Sequence, residues 1–130
     1  MQVNSAIVIV DDDPALRTYR KFALQREGYD VLDFANPVEA LIALRDTSAE
    51  ISAVISDIDM TGMDGVAFVR VVRKRLPSVP VLLISGGGAA ETHVSPCSFL
   101  SKPFNLRVLI HAVRQLLAAS PELNIEFALP

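Results

Sequence analysis

The stretch Ala6-Ile7-Val8-Ile9-Val10-Asp11-Asp12-Asp13-Pro14 decides how the rest of the chain is read. A short apolar run, mostly β-branched, stops abruptly at three aspartates, as a buried strand does when it emerges at the edge of a sheet. Asp13-Pro14 then starts a helix, with an N-cap followed by proline at the first helical position. Leu16, Tyr19, Phe22 and Ala23 follow at the spacing of a helix's apolar face, and Gly28 ends the element.

Strand and helix alternate along the chain, without an internal repeat. Tyr29 to Ala35 reads as a second strand, and Asn36-Pro37 repeats the cap-and-proline start for a helix running to about Asp46. Ile51 to Ile58 is the third strand, followed by a turn at Met63 to Gly65 and a helix to about Arg75 with Val66, Val69 and Val72 in helical register. Val79 to Ser85 is a fourth strand, Phe99 to Ser101 a short fifth, and Asn105 to about Ala119 a last helix. Strands with continuous apolar runs are covered on both faces. Their alternation with helices therefore predicts an α/β domain with a doubly wound, five-stranded parallel sheet and right-handed crossovers. The domain is expected over 1–119, with 120–130 as a C-terminal tail that docks or frays.

Composition narrows the function classes. A chain of 130 residues holds one domain, and 51% apolar with 21% charged residues suits a folded α/β core. The net charge of −3, without a Lys/Arg cluster, argues against direct nucleic-acid binding. Cys97 is the only cysteine, which excludes an internal disulfide and multi-cysteine zinc sites. No apolar run approaches the ~20 residues that span a bilayer, so a cytoplasmic protein without membrane insertion is expected.

In open parallel sheets, ligands bind at the carboxyl ends of the strands, where strand order reverses. The first strand ends in Asp11 and Asp12, the third in Asp57, the fourth in Ser85 and the fifth in Lys102-Pro103. Carboxylates can hold a hard cation, and one of them can attack phosphorus. The hydroxyl and the ammonium can take up charge on a transferred group. Crowded carboxylates also repel, so a cation is needed to keep the nucleophile ionised.

These residues resemble a known signature. Asp11-Asp12, the segment Ser56-Asp57-Ile58-Asp59-Met60-Thr61-Gly62-Met63-Asp64-Gly65, Ser85, and Lys102-Pro103-Phe104 are similar to the motifs of response-regulator receiver domains of bacterial two-component systems, over about Ile7 to Leu117. The resemblance implies the flavodoxin-like receiver fold and a phosphorelay role in which a histidine kinase or phosphotransfer protein phosphorylates Asp57. It implies Mg²⁺ (or Mn²⁺) held by Asp12, Asp57 and the backbone carbonyl of Asp59, with Asp11 acting through water. Ser85 and Lys102 match the family's hydroxyl and phosphate-binding lysine, and Phe99, with Ser85, its switch positions. The domain would assist its own phosphorylation and dephosphorylation rather than act as an enzyme on other substrates, and would signal through an unknown downstream protein.

Other residues have plainer readings. Asp13 and Asp64 are expected as helix caps, Gly86-Gly87-Gly88 as a linker, His93 and His111 as surface residues, and Cys97 as an ordinary small residue. The chain departs from the family at Thr61, where proline is usual, and at Asp59, where a neutral residue is common. Only 13 residues separate Ser85 from Phe99, which predicts a shortened or missing fourth helix. That departure leaves open a degenerate receiver acting as an unphosphorylated interaction module. Asp57-Ile58-Asp59-Met60-Thr61 also resembles the nucleophile motif of haloacid-dehalogenase phosphatases, although there the acidic pair follows the nucleophile rather than preceding it.

Overall fold

The computed structural model describes residues 5–46, 50–60, 63–86, 97–118 and 126–127. Six parallel strands form one sheet in the order β2-β1-β3-β4-β5-β6: β1 (Ser5–Val10), β2 (Asp30–Phe34), β3 (Glu50–Asp57), β4 (Val81–Ser85), β5 (Ser98–Ser101) and β6 (Glu126–Phe127). Among the described residues four helices cover it: α1 (Pro14–Arg26), α2 (Pro37–Asp46), α3 (Gly65–Arg75) and α4 (Leu106–Ala118). The five predicted strands are present. The sixth comes from the expected tail, where Phe99 and Leu100 of β5 pair with Glu126 and Phe127. Among the described residues no helix lies between β4 and β5; Gly87, Gly88 and His93 lie outside them.

Every helix starts where an Asx side chain covers its first N–H groups. Asp13 accepts from Ala15 and Leu16, Asn36 from Glu39, Asp64 from Ala67, and Asn105 from Val108. The caps expected at Asp13 and Asp64 are therefore formed. Gly28, at φ 96°, turns the chain out of α1 in a conformation that side chains resist.

Two apolar layers sandwich the sheet. On one face Ile7, Ile9, Ile55, Leu82 and Ile84 pack with Leu24 of α1 and with Leu109, Ala112, Val113 and Leu116 of α4. On the other, Val8, Val10, Val54 and Leu83 meet Ala40 and Leu41 of α2 and Phe68, Val69 and Val72 of α3. The expected face of α1 needs correction. Tyr19 and Phe22 are 58% and 59% exposed and Leu16 lies at the rim, while the buried positions are Arg20, Ala23 and Leu24. Apolar spacing located the helix but not its packing face, because the ends of β1 and β2 present carboxylates that draw cations inward.

Candidate functional site

The strand order reverses between β1 and β3, so the crevice beyond their carboxyl ends is where this topology leaves room for a ligand. Asp11 and Asp57 stand there, both buried. Three backbone bonds fix the neighbouring strand ends: Asp11 N–H to Phe34 O, Ile58 N–H to Ile84 O, and Lys102 N–H to Ser85 O. The last two place β4 and β5 so that Ser85 and Lys102 arrive beside Asp57. Lys102, which precedes a cis peptide to Pro103, donates from Nζ to Asp57 Oδ2 at 2.7 Å. The other Asp57 oxygen accepts the N–H of Asp59 at 3.1 Å.

Gly65 sets how closely α3 approaches this corner. A Cβ there would stand 2.5 Å from the Asp57 carbonyl oxygen and 2.7 Å from Ile58 Cα, both backbone atoms, and the Gly65 N–H donates to Ile58 O. Only glycine fits without moving the strand end that carries Asp57. Its signal was present in the sequence, as a poor helix former at the first position of α3.

Asp11 is held on both oxygens. Oδ1 accepts from the Asp13 N–H at 2.9 Å and Oδ2 from Arg20 at 2.7 Å. Burial raises its pKa above the usual carboxylate value and the charge of Asp57 adds to the rise, while the Asp13 N–H, Arg20 and Lys102 oppose it. The Arg20 guanidinium also lies over the Phe104 ring, 5.1 Å from its centre. Arg17 donates to the Asp11 carbonyl and to Asp33, and Lys21 donates to Asp33. These cations of α1 were not singled out in the sequence, where Arg17, Arg20 and Lys21 look like an ordinary solvated face.

The remaining expected residues fall as follows. Asp12 is exposed at the end of β1, and Ser85 is buried at the end of β4. Asp59 is exposed, with its carboxylate 3.7 Å from where a Cβ on Gly86 would stand, so its side chain leans toward the end of β4. Phe99 is half-buried on β5 against the α2–α3 layer. Thr61 and Gly62 lie outside the described residues. Cys97 is buried, and desolvation pushes its thiol up to about 12, so it stays protonated. His111 is exposed. Among the described residues no three acidic, His or Cys side chains converge as a ready metal cage.

Residues 7–114 match the model of the response regulator receiver domain. The chain is 34% identical to the sensor kinase CckA of Brucella abortus over 88% of its own length and 13% of that protein's. It is equally identical to the C4-dicarboxylate transport transcriptional regulatory protein DctD of Rhizobium meliloti, over 88% of this chain and 26% of that one. Among solved structures, a response regulator receiver protein from Sinorhizobium medicae superposes with a TM-score of 0.79 at 32% identity, covering 91% of this chain and 97% of that one. The chain belongs to the response regulator receiver domain family, whose members carry signals in two-component phosphorelays. It spans 13% and 26% of the length of these two curated relatives. Membership in a signalling family sets aside the phosphatase reading. Among the described residues no helix is long and apolar enough to cross a membrane.

Proposed function

We propose that this domain accepts a phosphoryl group on Asp57 from a phosphohistidine of a histidine kinase or phosphotransfer protein, and passes the change on by binding a downstream protein. The observation that carries the reading is the buried Asp57 carboxylate under the Lys102 ammonium at 2.7 Å, beside Asp11 at the point where strand order reverses. An oxygen of Asp57 attacks phosphorus, the bond from phosphorus to the donor's imidazole nitrogen breaks, and the imidazole leaves with the electron pair. Lys102 swings from Asp57 to the transferred group as negative charge moves there, and the Ser85 hydroxyl donates to a phosphoryl oxygen. Phe99, on the neighbouring strand opposite Leu83 and two residues before Ser101, the partner of Ser85, reports the change to the surface.

The donor set suits a hard divalent cation, Mg²⁺ or Mn²⁺. Magnesium keeps several waters and needs only one or two carboxylates, so a three-carboxylate cage is not required. Asp12, Asp57 and the Asp59 carbonyl would hold it, with Asp11 acting through water. When bound, it neutralises the phosphoryl oxygens during transfer. We take 1–119 as the receiver unit with 120–130 appended, working in the cytoplasm beside its kinase. The net charge of −3 supports a protein partner rather than direct nucleic-acid contact.

Intact-mass spectrometry after incubation with acetyl phosphate and Mg²⁺ tests this. One added phosphoryl group on the parent and none on Asp57→Asn is the expected result. Labelling of the Asn variant at the parent's rate would move the phosphoacceptor elsewhere. An unlabelled parent would favour the unphosphorylated interaction module, the reading supported by the mere 13 residues that separate Ser85 from Phe99.

A further inference from the structure

Of the cations around the acidic crevice, Lys102 has a part in phosphoryl transfer, whereas Arg20 has none. Yet Arg20 is 7% exposed, a burial that arginine reaches only when its charge is satisfied. It is satisfied by Asp11, at 2.7 Å, with Phe104 under the guanidinium plane. The two groups hold it from different elements, since Asp11 ends β1 and Phe104 stands between β5 and α4. Arg20 itself is on α1, whose start is pinned by the Asp13 cap. The charge therefore sits at a fixed place beside the carboxylates rather than sweeping through solvent.

We propose that Arg20 is a positioning residue that sets the affinity of this site for its divalent cation, acting as a built-in counter-charge that occupies Asp11. The inference rests on the cation-binding reading of the crevice and goes beyond it. Two physical effects act in one direction. Asp11 Oδ2 is engaged by Arg20 and Oδ1 by the Asp13 N–H, so a metal-bound water must share either oxygen with a donor already in place, on a carboxylate whose charge Arg20 has partly neutralised. In addition, a fixed positive charge one carboxylate away repels an incoming divalent ion, and partial burial weakens the screening that would hide it. The compensating benefit is that, with the crevice empty of metal, Asp11 is not left buried and unpaired near Asp57.

The test is isothermal titration calorimetry of the whole chain with MgCl₂, suited to a protein without tryptophan. Arg20→Met keeps the length and the contact with Phe104 but removes the charge, and it should bind Mg²⁺ more tightly by on the order of tenfold, equivalent to about 1.4 kcal/mol. Arg20→Lys keeps the charge and should stay near the parent affinity, a rescue that a merely structural role would not produce. Circular dichroism before each titration confirms the fold, and the Lys variant keeps the comparison decisive if the Met variant does not fold, because loss of affinity in Lys would contradict the idea. Unchanged or weaker binding in folded Arg20→Met overturns it, the latter meaning that Arg20 holds Asp11 ready for the metal. Binding by Arg20→Met where the parent shows none supports it strongly. Absence of Mg²⁺ binding in parent and variants alike overturns both it and the cation-site reading, whereas parent binding with an indifferent Met variant overturns this inference alone.

Discussion

Helices α1 and α3 both follow a strand that ends in a site aspartate, both start from an aspartate cap, and both lie against the sheet, yet they bury opposite chemistries. Helix α3 buries Phe68, Val69 and Val72 at apolar helical spacing. Helix α1 turns Arg20 inward with Ala23 and Leu24, brings Arg17 and Lys21 onto Asp33, and leaves Tyr19 and Phe22 in solvent. The difference follows from what each helix meets. Val8, Val10 and Leu83 offer α3 an apolar surface, whereas α1 meets Asp11, just past the end of β1, and Asp33, near the end of β2. A buried carboxylate without a partner is costly, so the helix above it supplies cations even where that leaves aromatic side chains outside.

The contrast can be tested from its strongest side. Phe68 is wholly buried in the α2–α3 layer, and Phe68→Ala should lower unfolding stability by about 3–5 kcal/mol, read from urea denaturation. A loss below about 1 kcal/mol would mean that α3 is not held by apolar packing in the way described.

The ionic attachment of α1 should be smaller and dependent on pH. Burial acts to raise the pKa of Asp33, but hydrogen bonds and charges from Lys21 and Arg17 outweigh it and hold the carboxyl below its ordinary value of 3.8. A carboxylate whose pKa is lower in the folded state adds stability that is fully present above the unfolded value and lost as pH falls through the folded one. Asp33→Asn should therefore cost about 1 kcal/mol at neutral pH, since its pairs are partly solvated. The difference from the parent should shrink below pH 3.8 and vanish once pH passes the lowered folded value. Urea midpoints measured from pH 7 downward, read as the gap between the two proteins, decide it. A gap that stays constant into acid would show that Asp33 contributes by packing rather than by charge.

The smallest effect is expected on the outer face of α1. Replacing Tyr19 and Phe22 together by serine should change stability by no more than about 0.5 kcal/mol, because both side chains are already more than half exposed. A loss above about 2 kcal/mol would restore the apolar face read from spacing and undo the contrast between the helices.

The positions of the strands and the starts of the helices were legible because they depend on local chemistry. A β-branched run ending in aspartates, Asp13-Pro14, Asn36-Pro37, Asp64 and Gly28 act through the backbone within a few residues of themselves. The cluster of Asp11, Asp57, Ser85 and Lys102 was also legible, since strand ends of a doubly wound sheet share one edge once strand order is known. Gly65 showed in the sequence only as a poor helix former, and the reason it must be glycine was not legible, because that comes from the Asp57 and Ile58 backbone, which only the folded turn brings within 3 Å. Likewise β6 depends on a pairing edge on β5 that no local pattern announces.

What the sequence determined by itself was thus the alternation of strands and helices and the set of reactive groups at their ends. Both follow from short-range propensity and from a topology with few right-handed solutions. What the tertiary structure decided was which side of α1 faces inward and which carboxylate each cation holds. Helical spacing marks two possible faces, and only the position of Asp11 and Asp33 beneath the helix makes the charged one the cheaper to bury.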